Sequence, residues 1–250
     1  MNILFGMFTN RGRQAKAQSE TKETTLAQLA RRPGRPRDAE ATREEILVAA
    51  MDEFSEKGRH GARIEELAAR TATSKHMIYY YFASKDGLYA AALARAYEDF
   101  RRAELALDYA TLKPVEALVA LAGNTFDAHI RNPHVVRMLM SENLDRGRHA
   151  AGIDHAAQRE LVVSTTRAMI ERGVAAGLFR ADIDPVRLHL DLSALSFFTV
   201  ANRYTFGRVF QLDMGAPAFL AQRRADVIEI ALARCLTPAA LAALGPDRAG

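Results

Sequence analysis

The sequence has no tryptophan, one cysteine and no long apolar run. A lone Cys235 excludes an intrachain disulfide and cannot by itself build the usual thiolate metal site. Its neighbours Ile230, Ala231 and Leu232 predict a small buried side chain, with a redox-sensing thiol as the alternative. Because no stretch approaches the roughly 20 apolar residues that span a bilayer, and the start lacks the apolar core of a secretory signal, we expect a cytoplasmic protein.

Common catalytic motifs are also missing. The sequence contains no phosphate-binding glycine loop, no His-x-x-x-His or clustered-cysteine metal site, and no Gly-x-Ser-x-Gly motif. Glu142 and His149 could in principle exchange a proton, but nothing marks them as a catalytic pair. We therefore predict a protein that is not an enzyme and that needs no cofactor or metal.

What the chain does contain indicates an all-α protein. Its 250 residues are 49% hydrophobic, enough to bury a core in one or two domains. Alanine and leucine are abundant, whereas β-branched runs and hairpin signals are few.

Positive charge is concentrated at the start of the chain. Residues 1–37 hold eight basic and two acidic residues, a net charge of +6, while the remainder has 26 basic and 28 acidic residues, a net charge of −2. Within this segment the run RRPGRPR, residues 31–37, has two prolines that disfavour a helix. We predict a disordered basic arm over 1–37 whose Arg35 and Arg37 lie along phosphates or in the minor groove; a solubilising tail is the alternative.

Residues 64–85, IEELAARTATSKHMIYYYFASK, predict two short helices separated by a tight turn. Ile64, Leu67 and Ala68 share one face of the first helix. The second begins at Ser74, whose hydroxyl can accept a free backbone N–H. About three residues join the two helices, which suits a helix-turn-helix motif.

No acidic residue occurs between Glu66 and Asp86, so a polyanion could approach this face without meeting a carboxylate. The alternative is structural: short helix pairs are common, and the three consecutive tyrosines could be half-buried packing residues.

Residues 42–100 resemble the DNA-binding domain of the TetR family of bacterial transcriptional regulators. The resemblance is carried by an alanine-rich first helix ending at Phe54 and Gly58, the helix-turn-helix, and the run YYYFASKDGL at residues 79–88. It implies that the second short helix enters the major groove, with base contacts from its first turn and phosphate contacts from its last. The predicted DNA-contacting side chains are Ser74, Lys75, His76, Met77, Tyr79, Tyr80, Tyr81 and Lys85, in addition to Arg35 and Arg37.

One departure from the family lies in the turn. The family usually has Ala-Gly-Val where this chain has Thr71, Ala72 and Thr73. If Ala72 must adopt the left-handed conformation that glycine adopts freely, we expect a strain of about 1 kcal/mol.

Around this motif we predict a first helix from residues 39–42 to the stop at Lys57 and Gly58, and a fourth helix over 84–107. The predicted domains are the helix-turn-helix domain, 38–100, a ligand-binding and dimerisation domain, 101–237, and a flexible tail, 238–250. In the larger domain we predict helices over 114–130, from 133, and over 161–176, 186–210 and 217–236.

The family resemblance implies that the last two helices pair with their copies in a four-helix homodimer interface, which would favour a palindromic operator. Polar and aromatic residues in the larger domain are the predicted effector contacts: Phe126, His129, Glu142, Asn143, Phe198, Asn202 and Arg203. Residues 132–143 and 202–210 resemble a TetR subgroup found beside catabolic operons. That resemblance implies a small aromatic or heterocyclic acid as effector, bound by Arg203 or His129.

The sequence thus predicts a DNA-binding transcriptional regulator, a repressor that a small-molecule effector releases from its operator. Two alternatives remain: a ligand-responsive activator, and a helical interaction protein without specific DNA binding.

Overall fold

A computed structural model describes residues 36–104, 107–153 and 156–245. Within these ranges the regular elements are helices, and an isolated antiparallel bridge joins Phe179 to Leu236. The predicted all-α class is therefore confirmed. The helices are α1 (Pro36–Gly61), α2 (Ile64–Arg70), α3 (Lys75–Phe82), α4 (Lys85–Glu104), α5 (Pro114–Arg131), α6 (Pro133–Leu144), α7 (Ala156–Ala175), α8 (Pro185–Ala201), α9 (Arg203–Phe210), α10 (Pro217–Cys235) and α11 (Pro238–Leu244), with a 3₁₀ turn at Ala150–Gly152.

The chain divides into two compact units, residues 1–45 and 46–250. In the first unit the structure describes only the start of α1. Most of the predicted basic arm, including Arg35, lies outside the described residues, and so does the side chain of Arg37. Helix α1 begins at Pro36, three residues before the predicted start. A proline is tolerated in the first turn because its missing N–H would have no intrahelical partner there.

The second unit contains a first core built by α1 to α4. Its buried side chains include Leu47, Ala50, Met51, Phe54, Ile64, Leu67, Ala68, Ile78, Phe82, Leu88, Leu93 and Phe100. At its centre the rings of Phe54 and Tyr89 meet edge to face at 5.0 Å. Gly58 has φ 65° and ψ 170°, which ends the regular part of α1 at the predicted stop.

This first core does not end at residue 100. Helix α4 continues to Glu104, and Ala128 of α5 with Val135 and Met138 of α6 belong to the same buried cluster. The helices of the predicted DNA-binding domain therefore pack directly on the beginning of the larger domain.

A second core lies among α5, α7, α8 and α10 and includes Leu118, Phe126 and Val227. The ring of Phe179 packs so closely on Gly173 of α7 that a Cβ at residue 173 would lie 2.2 Å from the ring. The close approach of the Phe179 loop to α7 thus requires glycine at residue 173.

Two predictions about the C-terminal part were wrong. The helix predicted over 186–210 is interrupted at Asn202, which has φ −106° and ψ 7° and ends α8. Asparagine favours helix ends because its side chain competes for backbone hydrogen bonds. The predicted flexible tail instead begins with α11, where the Thr237 hydroxyl accepts the Ala240 N–H at 3.3 Å.

None of the helices in the described ranges is long and apolar enough to cross a membrane.

Candidate nucleic-acid interface

The turn between α2 and α3 closes the end of α2 with a pair of backbone hydrogen bonds. The Thr71 N–H donates to the Leu67 carbonyl at 3.1 Å, and the Thr73 N–H donates to the Ala68 carbonyl at 3.2 Å. The second bond is that of a Schellman motif, which needs a left-handed residue between the helix cap and Thr73. Ala72 has φ 48°, so the left-handed conformation foreseen from the sequence is confirmed.

Helix α3 is oriented by its cap and its buried side. The Ser74 hydroxyl accepts the Met77 N–H at 3.2 Å, as predicted for a helix-capping residue. Ile78 and Phe82 are buried against the first core. The opposite side of α3 must therefore face solvent.

We call the exposed side chains Lys75, His76, Tyr79 and Tyr80 the recognition face. Tyr80 is 74% exposed and Tyr79 is 43% exposed, so neither ring is a core residue. Their exposure removes the packing alternative for these two tyrosines. Two other predicted DNA-contacting residues of α3, Met77 and Tyr81, are half-buried.

One side chain of the recognition face, Lys75, forms an ion pair. Lys75 Nζ binds the carboxylate of Glu65, one helix away on α2. Both side chains are at least half exposed. Lys75 hydrogen-bonds to Glu65 and thereby lowers the pKa of that carboxyl. Because exposed ion pairs are weak, Lys75 can exchange Glu65 for a phosphate or a base edge.

A sharp turn follows α3. Ala83 has φ 61° and ψ −44°, and the Ser84 N–H donates to the Phe82 carbonyl at 2.7 Å, which is the pattern of a γ-turn. The Ser84 hydroxyl then accepts the Gly87 N–H at 3.0 Å and begins α4. A Cβ at residue 87 would lie 2.2 Å from the Phe82 carbonyl oxygen, so glycine is required there.

Lys85, a predicted phosphate contact, has a structural partner. Its Nζ donates to the Ala62 carbonyl at 2.6 Å and to the His60 carbonyl at 3.4 Å, between α1 and α2. Partial burial lowers the pKa of Lys85, and the nearby Arg59 lowers it further. Lys85 thus fixes α4 to the junction of α1 and α2, and its phosphate contact stays a prediction.

Sequence reasoning missed a buried carboxylate that positions α2. Glu53 of α1 is 3% exposed and lies 3.0 Å from Lys57 Nζ. Its other contacts lie at the two ends of α2: it accepts the N–H of Arg63, the residue before α2, at 3.3 Å and a hydrogen bond from Arg70 Nη1 at 3.4 Å. An acidic residue at helical spacing from Lys57 is an ordinary surface pattern, so no sequence signal marks Glu53 as buried.

The predicted effector contacts Phe126 and His129 lie on α5 and are buried. The His129 ring contacts Phe100 edge to face at 4.7 Å, and its Nδ1 lies 2.7 Å from the Thr125 carbonyl oxygen. Burial lowers the pKa of His129, which favours the neutral ring.

Glu142 and Asn143, at the end of α6, differ in their exposure to solvent. Asn143 is exposed, whereas Glu142 is buried. Glu142 Oε1 accepts the N–H groups of His149 and Ala150 at 2.6 and 2.9 Å, and Oε2 lies 3.1 Å from His149 Nδ1. Its carboxylate therefore holds the loop after α6.

The last three predicted effector contacts lie around the break between α8 and α9. Phe198 is exposed and meets Phe206 edge to face at 5.4 Å. Asn202 is half-buried and ends α8. Arg203 is exposed, with its guanidinium 5.0 Å from the centre of the Tyr204 ring. The seven predicted effector contacts therefore stay a set of separate predictions.

A polar cluster that the sequence did not reveal joins α4, α5 and α8. Glu104 is fully buried, pairs with Arg101, and accepts a hydrogen bond from the Thr125 hydroxyl at 2.9 Å. His189 of α8 lies 3.1 Å from Arg101 Nη1 through its Nε2. We call Arg101, Glu104, Thr125 and His189 the Glu104 cluster.

Cys235 is buried, as predicted from its neighbours. Burial raises the pKa of its thiol to about 11, which disfavours the reactive thiolate. In the described ranges no group of three or more His, Cys, Asp or Glu residues could hold a metal ion.

Comparison with known proteins agrees with this architecture. A family profile described as bacterial regulatory proteins, tetR family, matches residues 46–92, and one described as tetracyclin repressor-like, C-terminal domain, matches residues 114–230. The HTH-type transcriptional repressor NicS of Pseudomonas putida is 36% identical over 181 residues, which are 72% of this chain and 85% of NicS. The HTH-type transcriptional repressor SCO4008 of Streptomyces coelicolor is 33% identical over 144 residues, 55% of this chain and 69% of SCO4008.

Solved structures share the fold. A tetR-family regulatory protein from Rhodococcus RHA1 superposes with a TM-score of 0.60 at 19% identity, covering 77% of this chain and 96% of that one. A TetR transcriptional regulator from Chloroflexus aurantiacus gives a TM-score of 0.56 at 19% identity, covering 80% and 98%. Together with the helix-turn-helix geometry and the exposed face of α3, these matches identify the chain as a member of the TetR family, a DNA-binding transcriptional regulator.

Proposed function

We propose that the protein is a repressor that binds a palindromic operator as a homodimer and is released from it by a small-molecule effector. The recognition face carries the proposal, because α3 buries Ile78 and Phe82 while Lys75, His76, Tyr79 and Tyr80 face solvent. Lysine can donate to guanine O6 or N7, and tyrosine can contact phosphates or bases. A repressor needs no further activity, since a bound dimer blocks polymerase by occupancy. We expect it to act in the cytoplasm.

Exposed apolar residues on α8 and α10 support the proposed homodimer. Leu190 of α8 and Ile230 of α10 are exposed in the single chain. A shallow groove of about 260 Å³ runs between the two helices and is lined by Leu195 and Ile230 among others. Paired helices of two copies would cover these side chains, as in a four-helix interface.

The DNA-binding proposal is tested by measuring affinity for the gene's own upstream DNA against scrambled duplex at near-physiological salt. The variants are Lys75→Ala and Tyr80→Ala, with Arg167→Ala, an exposed arginine of α7, as the control. We expect each recognition-face variant to lose at least about tenfold in specific affinity, with the control unchanged. Equal affinity of all four proteins for both duplexes would contradict the proposal.

The sign of regulation is tested by transcription in vitro from the bound promoter. A repressor lowers transcript yield as the protein is added, whereas the alternative, a ligand-responsive activator, raises it. A helical interaction protein, the remaining alternative, would show no selectivity in the DNA-binding measurement.

The homodimer is tested by light scattering coupled to size exclusion. Ile230→Arg should give monomers, because it places a charge in the proposed interface at a position exposed in the single chain. Leu161→Arg on α7, exposed to a similar degree, is the matched control and should remain dimeric. A wild-type monomer at micromolar concentration would refute this part of the proposal.

A further inference from the structure

A group of large apolar side chains lies around the break between α8 and α9, and all of them except half-buried Phe206 are exposed to solvent. We call this group the α9 patch: Phe198, Tyr204, Phe206, Val209, Phe210 and Leu212. Its rings pack on one another. Phe206 meets Phe198 edge to face at 5.4 Å and lies 4.3 Å from Phe210, with the two ring planes 30° apart. Because soluble monomers rarely expose large contiguous apolar patches, this surface indicates a contact with another molecule.

The chain that follows α9 holds the patch in place. Gln211 has φ 54° and ends α9, and the Leu212 N–H donates to the Gly207 carbonyl at 2.8 Å. A Cβ at residue 207 would lie 2.7 Å from the Leu212 carbonyl oxygen, so this turn requires glycine there. Met214, which is buried, lies beside Gly207. One side of α9 therefore packs on its own returning chain. A surface fixed in this way loses little conformational entropy when it binds a partner.

The α9 patch continues the apolar face that we propose for the homodimer. Leu190, Ala194 and Phe198 of α8 are exposed and follow one another at intervals of four residues, which places them on one side of the helix. Ala194 lines the shallow groove between α8 and α10, together with Ile230. Phe198 in turn contacts Phe206 of α9. An apolar track therefore runs from the groove onto α9.

The area of the patch fits what a dimer needs. Phe198, Tyr204 and Phe210 are 42%, 72% and 59% exposed in the single chain. A buried aromatic side chain covers about 150 to 250 Å², so these three offer on the order of 350 Å². A stable interface covers about 800 Å² on each partner, and the exposed parts of Leu190 and Ile230 account for a small share of it. The α9 patch supplies much of the remainder.

We propose that the α9 patch belongs to the homodimer interface and packs against the second copy of this chain. The inference rests on the proposed homodimer and extends it from the pair α8 and α10 to a third helix. In a two-fold dimer the contact occurs twice, once for the patch of each copy. The patch then determines both the strength of the dimer and the choice of partner, because a chain without a matching surface leaves its rings in water. Phe198 thus has a role in assembly, where the sequence predicted an effector contact.

The dissociation constant of the dimer is measured by fluorescence-detected sedimentation of the full chain over a dilution series. Phe210→Arg places a charge in the proposed contact, and the double substitution Tyr204→Ala with Phe210→Ala removes the rings without adding charge. Each should raise the dissociation constant at least about tenfold. Leu144→Arg, at an exposed leucine of α6 outside the patch, is the matched control and should dimerise as the wild type does. The changed side chains are exposed in the single chain, and circular dichroism checks that every variant keeps its helices.

A second measurement locates the contact without weakening it. Thr205→Cys, at an exposed position of α9 beside the patch, carries an environment-sensitive fluorophore. The native thiol of Cys235 is buried and its pKa is raised to about 11, so it competes poorly for the label. The emission at residue 205 should shift to longer wavelength as dilution separates the copies and exposes the label to water. The same label on Ala168→Cys, at an exposed position of α7, should not shift.

Weaker dimers in both α9 variants, together with a shift at residue 205 that follows dissociation, support the proposal. Unchanged dissociation constants in both variants, or an emission at residue 205 that does not respond to dissociation, overturn it. In that case the homodimer through α8 and α10 still stands or falls on Ile230→Arg, so the two proposals fail separately. A wild type that is monomeric throughout the dilution series refutes the homodimer and this inference together.

Discussion

The recognition face and the Glu104 cluster each pair a cation with a glutamate, but they do so in opposite surroundings. Lys75 and Glu65 are 50% and 61% exposed, whereas Arg101 and Glu104 are 17% and 1% exposed. In water the attraction between two charges is largely screened, so the Lys75 pair can open when a phosphate approaches. In the buried cluster neither charge can be left alone at low cost. The same chemistry therefore provides an exchangeable contact in one region and a fixed one in the other.

The largest expected effect comes from breaking the buried pair. Among the described residues, Arg101→Ala leaves the buried carboxylate of Glu104 with the Thr125 hydroxyl and His189 beside it. Removing one partner of a buried ion pair typically costs about 3 to 5 kcal/mol, and we expect a loss in this range in urea denaturation. The double substitution Arg101→Gln with Glu104→Gln should cost much less. Equal losses in both variants would mean that side-chain packing, and not the uncompensated charge, determines the cost.

A smaller effect concerns the dependence of stability on pH. Burial lowers the pKa of His129 below its ordinary value of 6.5. Below that value the unfolded chain binds a proton at this histidine that the folded protein does not bind. The free energy of unfolding should therefore fall as the pH drops through and below about 6.5. For one histidine the fall is at most about 1.4 kcal/mol per pH unit. Urea denaturation between pH 7.5 and 5.5 measures the slope. His129→Gln should give a shallower slope. An identical slope would contradict a lowered pKa of His129 as the cause.

The two regions also differ in how far the sequence predicted them. The recognition helix has a local signal: a capping serine at Ser74, then Ile78 and Phe82 one turn apart on the buried side. Its bounds and its exposed face follow from residues within one short stretch. The TetR resemblance rests on the same stretch, which is why the fold and the regulator class were predictable.

The Glu104 cluster has no comparable signal. Arg101 and His189 are 88 residues apart and lie on different helices. Periodicity places a residue on the buried or exposed side of its own helix, but it does not show which helices meet. The effector residues predicted from sequence were therefore chosen by residue type, and no residue of the Glu104 cluster was among them.

A prediction of about 1 kcal/mol concerns the turn that supports the recognition helix. Ala72 has φ 48°, a conformation that costs an alanine roughly 1 to 2 kcal/mol and a glycine almost nothing. Replacing Ala72 by glycine would remove this strain, but the greater conformational freedom of glycine in the unfolded chain offsets part of the stabilisation. We expect Ala72→Gly to stabilise the protein by about 1 kcal/mol in urea denaturation. Ala69→Gly, on the exposed side of α2, is the control and should destabilise by a similar amount.

The smallest expected effect tests whether the exposed pair is exchangeable. Glu65→Gln frees Lys75 and removes a negative charge near the approaching phosphates, so operator affinity should rise a few-fold at low salt. The rise should shrink as salt is added, because screening weakens the interaction between exposed charges.

The matched control for this substitution is Glu66→Gln, which removes the same charge from the neighbouring residue. Glu66 pairs with Lys57 and not with Lys75, so its removal changes the net charge without freeing the recognition face. If Glu65→Gln raises affinity more than Glu66→Gln does, the Lys75 pair restrains DNA binding. If both raise affinity equally, the gain comes from net charge alone, and Lys75 is as available to DNA with Glu65 present as without it.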